Sequence, residues 1–220
     1  MAATSPLATA VPQLSFAVLD AARVEHAAQP TLAFSLRVDA PEGTPIRSVL
    51  LDAQIQIAAR RRHYDATAHE RLFEVFGPVK GWGSTLRTLP WTRTTLVVAP
   101  FTGSTTAALH VPCSYDLEAL ASSYLDALAD GDVPLEFLFS GTVFYAAAGG
   151  QLQAARISLE QDAEYRLPVR VWRETMEHHF RDTAWLRLRK DSFDRLCAYK
   201  ARHALMTWED AVDALLDGEE

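Results

Sequence analysis

The stretch PLEFLFSGTVFY, residues 134–145, decides how this chain is read. Leu135, Phe137 and Phe139 fall on one side of an extended backbone and Leu138 on the other, because successive strand residues point to opposite faces. Apolar character on both sides predicts an interior strand covered on both faces. Gly141 interrupts the run, and a glycine inside so long a strand predicts a bulge. Immediately downstream, the Gly149-Gly150 turn leads into a partner strand over 152–159, which completes a hairpin.

Upstream of this strand, Leu117, Leu120, Tyr124, Leu125 and Leu128 recur at helical spacing. Ser114 suits the N-cap, Asp116 and Glu118 suit the positive end of the helix dipole, and Asp130-Gly131 ends the element. Before the helix, Leu96–Val98 and the alternating Thr105, Ala107, Leu109 and Val111 flank Thr102-Gly103, which predicts a hairpin. Residues 60–81 break the alternation; 65–76 reads as a short helix stopped by Gly77-Pro78. Nearer the start, Leu14, Phe16 and Val18, then Leu32, Phe34, Leu36 and Val38, then Val49, Leu51, Ile55 and Ile57 alternate as three strands. Their short connections favour antiparallel pairing.

Beyond Pro168 the apolar period becomes helical. Val169, Trp172 and Met176 share one face, and Asp191 is the expected N-cap of a helix over 192–203. Thr207 with Asp210 has the spacing of a capping box ahead of Trp208, Ala211, Val212, Leu215 and Leu216. Strands first and helices last predict an α+β fold. It consists of an antiparallel β-sandwich-like part, 14–167, with roughly seven strands and an inserted helix, followed by a helical part, 168–220, of about three helices. With no internal repeat or linker between them, 14–220 reads as a single domain behind a loose leader, 1–13.

The chain has 220 residues, 49% of them hydrophobic, and a formal net charge of −7. That balance speaks against a phosphate-binding role with nucleic acid. Two separated cysteines, Cys113 and Cys197, form no disulfide framework and fit a reducing, cytoplasmic compartment. No run approaches the length of a membrane-spanning helix, and the leader lacks the features of a signal peptide.

The search for chemistry ends in structural readings. Residues 77–84, GPVKGWGS, are glycine-rich but lack the order of a phosphate-binding loop. Glu174 and His178 share a helix face without a recognised metal-ligand spacing. Ser140 lies inside a strand, not on a nucleophile elbow. Cys113 precedes a helix, where a thiol can be activated, yet small buried cysteines are common beside aromatic neighbours and the structural reading is preferred. No cofactor or metal is implied and no catalytic residue is assigned.

Two features remain as candidate partner contacts. Trp82 and Trp91 bracket Arg87, with Arg93 two residues beyond, and exposed Trp and Arg are enriched in interface hot spots. The alternative is that both tryptophans plug the open end of the sandwich. Arg60, Arg61 and Arg62 form a basic cluster on an acidic chain; they suit either an acidic partner or a solvated edge.

The segments VPCSYDL (111–117), VPLEFLFSGT (133–142) and LPVRVW (167–172) resemble an uncharacterised bacterial family, a domain of unknown function. Its genes occur beside those of high-affinity nickel–iron uptake hydrogenases. The similarity extends over most of the chain, including 193–200 and 208–215. The resemblance implies a non-catalytic accessory protein whose partner is a hydrogenase component, acting in assembly or maturation, and it carries over no catalytic residue. The alternative expectation is a small-ligand-binding module with a pocket between the sandwich and the C-terminal helices.

Overall fold

The structure is a computed structural model that describes residues 11–113, 119–147, 149–158, 161–181 and 188–219. Strands β1 (Ser15–Arg23), β2 (Thr31–Asp39) and β3 (Ile46–Ile57) come first. The insertion after β3 holds three short helices, α1 (Ala66–Arg71), α2 (Phe73–Phe76) and α3 (Trp82–Thr85). Then follow β4 (Leu89–Val98), β5 (Ser104–Pro112), α4 (Ala119–Ala127), β6 (Asp132–Ala146), β7 (Leu152–Arg156) and β8 (Asp162–Pro168). The helices α5 (Val169–His179), α6 (Lys190–Arg202) and α7 (Trp208–Leu216) close the chain. The fold is α+β, with two antiparallel sheets and helices gathered mainly at the C-terminal end. The expected N-cap Ser114, with Asp116, Leu117 and Glu118, and the end of the strand expected to reach Leu159 lie outside the described residues.

One sheet has the order β1-β2-β5 and the other β4-β3-β6-β7, with β8 also on β6. The alternating apolar residues of both sheets meet in one core. Phe16 packs on Phe139 with ring centroids 4.6 Å apart, and Phe34 meets Phe137 edge-on at 5.1 Å. Burying each such side chain fully contributes about 1.5–3 kcal/mol.

The hairpin expected across Thr102-Gly103 does not form. β5 pairs with β2 from Thr31↔Pro112 to Asp39↔Ser104, whereas β4 pairs with β3. The chain therefore crosses between sheets at 99–103, anchored by reciprocal Ile46–Phe101 backbone hydrogen bonds of 2.9 and 3.1 Å. Likewise β2 and β3 are consecutive yet lie in different sheets.

β6 is interior, between β3 on one edge and both β7 and β8 on the other. β8 takes residues 132–138 and β7 takes 142–146. Gly141 sits where the partner changes. Its φ is +145°, and a Cβ there would collide with the Leu50 carbonyl oxygen and press on the Leu51 Cα. The register with β3 runs through Leu51↔Gly141 without a shift, so the glycine serves close approach and partner exchange instead of the bulge the sequence predicts. The expected cover on both faces is also absent on the outer side, where Leu138 is 40% exposed. β8 had no counterpart among the expected strands.

The chain divides into two compact units, Met1–Asp182 and Thr183–Glu220. The first contains every strand and α1–α5. Within it α5 packs against β1, β2, β8 and α4, burying Val169, Val171, Trp172, Thr175 and Met176. The Trp172 Nε1–H donates to Asp126 Oδ1 at 2.9 Å, which fixes α5 to α4. The second unit contains α6 and α7. Among the described residues no helix is long and apolar enough to cross a membrane.

Candidate functional site

The arginine cluster is engaged within the sandwich unit. Arg61 reaches Glu164 on β8 at 2.5 Å and Glu136 on β6 at 2.9 Å. Arg62 donates from Nη1 to the Asp132 carbonyl and from Nη2 to the Asp130 carbonyl, both at 2.6 Å. Arg60 Nε donates to the Leu86 carbonyl at 2.5 Å. The three side chains thus tie the start of the insertion to its own end and to the β6–β8 pair. Arg62 also lies 6.0 Å from the Tyr64 ring centroid, and its Nε is buried without a hydrogen-bond partner.

Trp82 and Trp91 are both buried, and the structure does not bring them together with Arg60–Arg62 into one exposed patch. Trp82 donates to the Gly77 carbonyl at 2.9 Å and packs edge-on against Tyr64, His69 and Phe76. Trp91 lies between Phe34 and Trp172. Arg87 is exposed and donates to the Ser84 carbonyl, while Arg93 is exposed and pairs with Asp52 at 2.6 Å on the outer sheet face.

The catalytic candidates are likewise accounted for. Cys113 is a free thiol in the core, and burial pushes its pKa up to about 12, opposite to what a nucleophile requires. Tyr64 and Tyr124 share a buried hydrogen bond of 2.7 Å, and the Tyr64 hydroxyl also bonds the Ala59 carbonyl at 2.7 Å. Burial raises both phenols above their ordinary range. His178 Nε2 faces the Glu25 carbonyl at 3.3 Å, and Glu174 pairs with Arg170. Among the described residues no three His, Cys, Asp or Glu side chains gather closely enough to hold a metal.

A different surface stands out in the unit 183–220. The α6–α7 turn is a Schellman cap: Leu205 N–H donates to the Lys200 carbonyl at 3.1 Å and Ala204 N–H to the Ala201 carbonyl at 3.3 Å. Ala204 holds the left-handed position, φ +53°, where glycine is favoured. Thr207 and Asp210 form the capping box that the sequence predicts, with bonds of 2.9 and 3.0 Å. The expected cap of α6 differs. Arg189 is the N-cap, and Asp191 sits in the first turn, bonded to it at 2.8 Å.

The hairpin leaves its apolar residues open. Of the α6 and α7 side chains only Ala211 is fully buried. Phe193 and Trp208 meet as tilted rings with centroids 5.4 Å apart but remain 40% and 43% exposed, and Leu216 and Met206 reach 64% and 85%. Lys200 lies 5.4 Å from the Trp208 ring centroid and donates to the Met206 carbonyl at 2.8 Å. A shallow groove of ≈ 470 Å³ runs past Cys197, Lys200, Ala204, Met206 and Trp208. A second, of ≈ 420 Å³, runs past Leu196, Tyr199, Arg202 and Leu215. Charge is segregated as well. α7 carries Glu209, Asp210 and Asp213 with no basic residue, while α6 carries Lys190, Arg195, Lys200 and Arg202 against two aspartates. The helical period over 208–216 marked this apolar stripe, but the sequence held no sign that it would stay uncovered.

Comparison with protein families finds one match, a family of unknown function (DUF6084), over residues 11–220. No curated protein matches. Solved structures align only at low similarity, two of them as follows. The putative ApaA protein from Bordetella pertussis is 12% identical, with a TM-score of 0.24 over 71% of this chain and 92% of that one. The β-glucosidase from Kluyveromyces marxianus is 8% identical, with a TM-score of 0.23 over 70% of this chain and 15% of that one. Likenesses this slight carry no argument about the chain.

Proposed function

The chain belongs to a family of unknown function, DUF6084, and we propose that it is a non-catalytic accessory factor that binds a protein partner through its C-terminal helical hairpin. The observation that carries this reading is the open apolar stripe of Phe193, Trp208, Val212, Leu215 and Leu216 on two short helices. Exposed apolar patches rimmed by charge mark interaction surfaces. The acidic rim of α7 selects a partner whose contact surface is apolar at its centre and basic beside α7. The setting implied by the resemblance of 111–117, 133–142 and 167–172 is the cytoplasmic assembly or maturation of a nickel–iron hydrogenase.

The test is affinity purification of the full-length chain from its native host under hydrogenase-inducing conditions, with Trp208→Ala/Leu216→Glu as the comparison. The expected result is recovery of hydrogenase components by the wild type and at least about tenfold less by the variant. Circular dichroism of the variant checks that its helices persist. Absence of hydrogenase components from the wild-type eluate sinks the setting. Equal recovery by the variant sinks the hairpin as the contact surface.

A further inference from the structure

The edges of the two sheets are not equally protected. β1 and β8 run alongside each other, and the Tyr165 side chain reaches the Ala21 backbone across that seam. β4 and β5 flank the opposite seam, where Thr94 Oγ1 donates to the His110 carbonyl at 3.1 Å. β4 also carries Pro90 and a register shift beside it, and β1 a shift between Val18 and Asp20. Prolines and irregular register are devices that discourage edge pairing. β7 has none of these. Among the described residues its only strand partner is β6, and its sequence, LQAAR, has no proline, no acidic residue and no register shift.

The hydrogen-bond phase of β7 follows from its two ends. Ala147 N–H donates to the Gln151 carbonyl at 2.9 Å, and Ile157 N–H donates to the Gly141 carbonyl at 3.0 Å. Antiparallel pairs alternate between bonded and non-bonded residues, so Gln153 and Ala155 also bond inward to β6. Leu152, Ala154 and Arg156 aim their N–H and C=O groups away from it. Those three residues are symmetric about Ala154.

We propose that β7 is a self-association edge, and that two copies of the chain pair antiparallel about a two-fold axis at Ala154. In that register Ala154 bonds Ala154 of the second copy, and Leu152 and Arg156 exchange bonds with Arg156 and Leu152 across the axis. All six outward N–H groups and all six carbonyls of the two strands find partners. Side-chain chemistry agrees. The axis carries the small Ala154, and Arg156 lies opposite Leu152 rather than opposite another Arg156, so no like charges face each other. The paired edges join two four-strand runs, β4-β3-β6-β7, into one continuous sheet.

Sedimentation of the full-length chain over a range of concentrations tests this. Wild type is expected to show a reversible, concentration-dependent dimer. Ala154→Pro removes one outward N–H while leaving the bonds to β6 intact, and it is expected to weaken dimerisation at least about tenfold. A conservative second arm keeps the test independent of any folding defect. In a Cys197→Ser background, Ala154→Cys puts two thiols on the axis with Cα atoms about 5.5 Å apart, within disulfide range. It is expected to cross-link under mild oxidation, whereas Gln153→Cys, offset from its own copy, is expected not to. Wild type that remains monomeric at its highest soluble concentration overturns the proposal. So does a dimer that Ala154→Pro leaves unchanged, or cross-linking as efficient at 153 as at 154. None of these outcomes depends on whether the helical hairpin binds a partner.

Discussion

The sandwich unit and the helical hairpin are built from equally patterned sequence and differ in what they bury. In the sandwich, Phe34, Phe137, Phe139 and Trp172 are nearly or fully buried in one core, and polar groups such as Tyr64 and Tyr124 are buried as a bonded pair. In the hairpin, two helices with clear apolar stripes, the second opened by a capping box, bury one alanine between them. Caps and periodicity are local properties of a helix, whereas burial needs a second surface. The contrast teaches that a strong amphipathic pattern specifies an interface but not its occupant.

The sharpest way to break the contrast is through Gly141. Gly141→Ala forces a Cβ into the Leu50 carbonyl at a backbone angle unsuited to alanine. It should cost more than about 4 kcal/mol or prevent folding, read by urea denaturation of purified protein. Next in size, Phe137→Ala should cost about 3–5 kcal/mol in the same assay, while Leu215→Ala should cost less than about 1 kcal/mol because its side chain is already open to water. Equal losses at the two sites would mean that the hairpin is as well packed as the sandwich.

The two units should also respond to opposite ends of the pH scale. Burial raises the folded pKa of Cys113 to about 12, and those of Tyr64 and Tyr124 upward. The folded state therefore holds protons that the unfolded state releases. Their stabilisation is complete below the unfolded pKa, about 9 for the thiol and 10 for the phenols. It declines above those values, by up to about 1.4 kcal/mol per pH unit per group. In the hairpin, the Thr207 backbone and hydroxyl hold the Asp210 pKa below its ordinary value. That contribution is present above pH about 4 and is lost as pH falls through the folded pKa. Near-ultraviolet dichroism of the core aromatics and helix-resolved hydrogen exchange in α7 separate the two responses. A urea midpoint, read by that core signal, that does not fall between pH 9 and pH 11 would contradict the burial of these groups.

The smallest expected effect is a gain. Ala204→Gly relieves the left-handed alanine of the hairpin turn and should stabilise α6 and α7 by about 0.5–1 kcal/mol. It should slow their amide exchange without moving the sandwich transition. A shift in both would show that the two units unfold together.

What could be read from sequence follows the range of the interactions involved. β2, β3 and β6 announce themselves because alternation is a property of neighbours, and so does the Thr207–Asp210 capping box, closed within three residues. β4 and β5 read as a hairpin because closeness in sequence is the usual guide to pairing. Nothing local reveals that β5 fits β2, some seventy residues earlier. β8 is absent from the expected strands although Ala163, Tyr165 and Leu167 alternate with Asp162, Glu164 and Arg166. Its charged face is the solvent side of the strand. The arginine cluster was visible, but its role was not, since Arg61 meets Glu164 at a separation of 103 residues. The open face of the hairpin has the opposite character. Its α7 residues Trp208, Val212, Leu215 and Leu216 are legible as one stripe, yet exposure is decided by what lies opposite.

The central position of β6 bears on how the chain is made as well as on how it stands. β3 pairs with β6 across roughly ninety residues, and such long-range contacts slow folding because the loop must close before they form. During synthesis β1, β2 and β5 can assemble their sheet as soon as β5 emerges. β3 must present a bare edge to the surroundings until β6 appears, and β6 in turn until β7 and β8 follow. The first sheet is complete at Pro112 and the second only at Pro168. A nascent chain halted between these points carries an unsealed strand, so the interval from 112 to 168 is where a chaperone would have the most to protect.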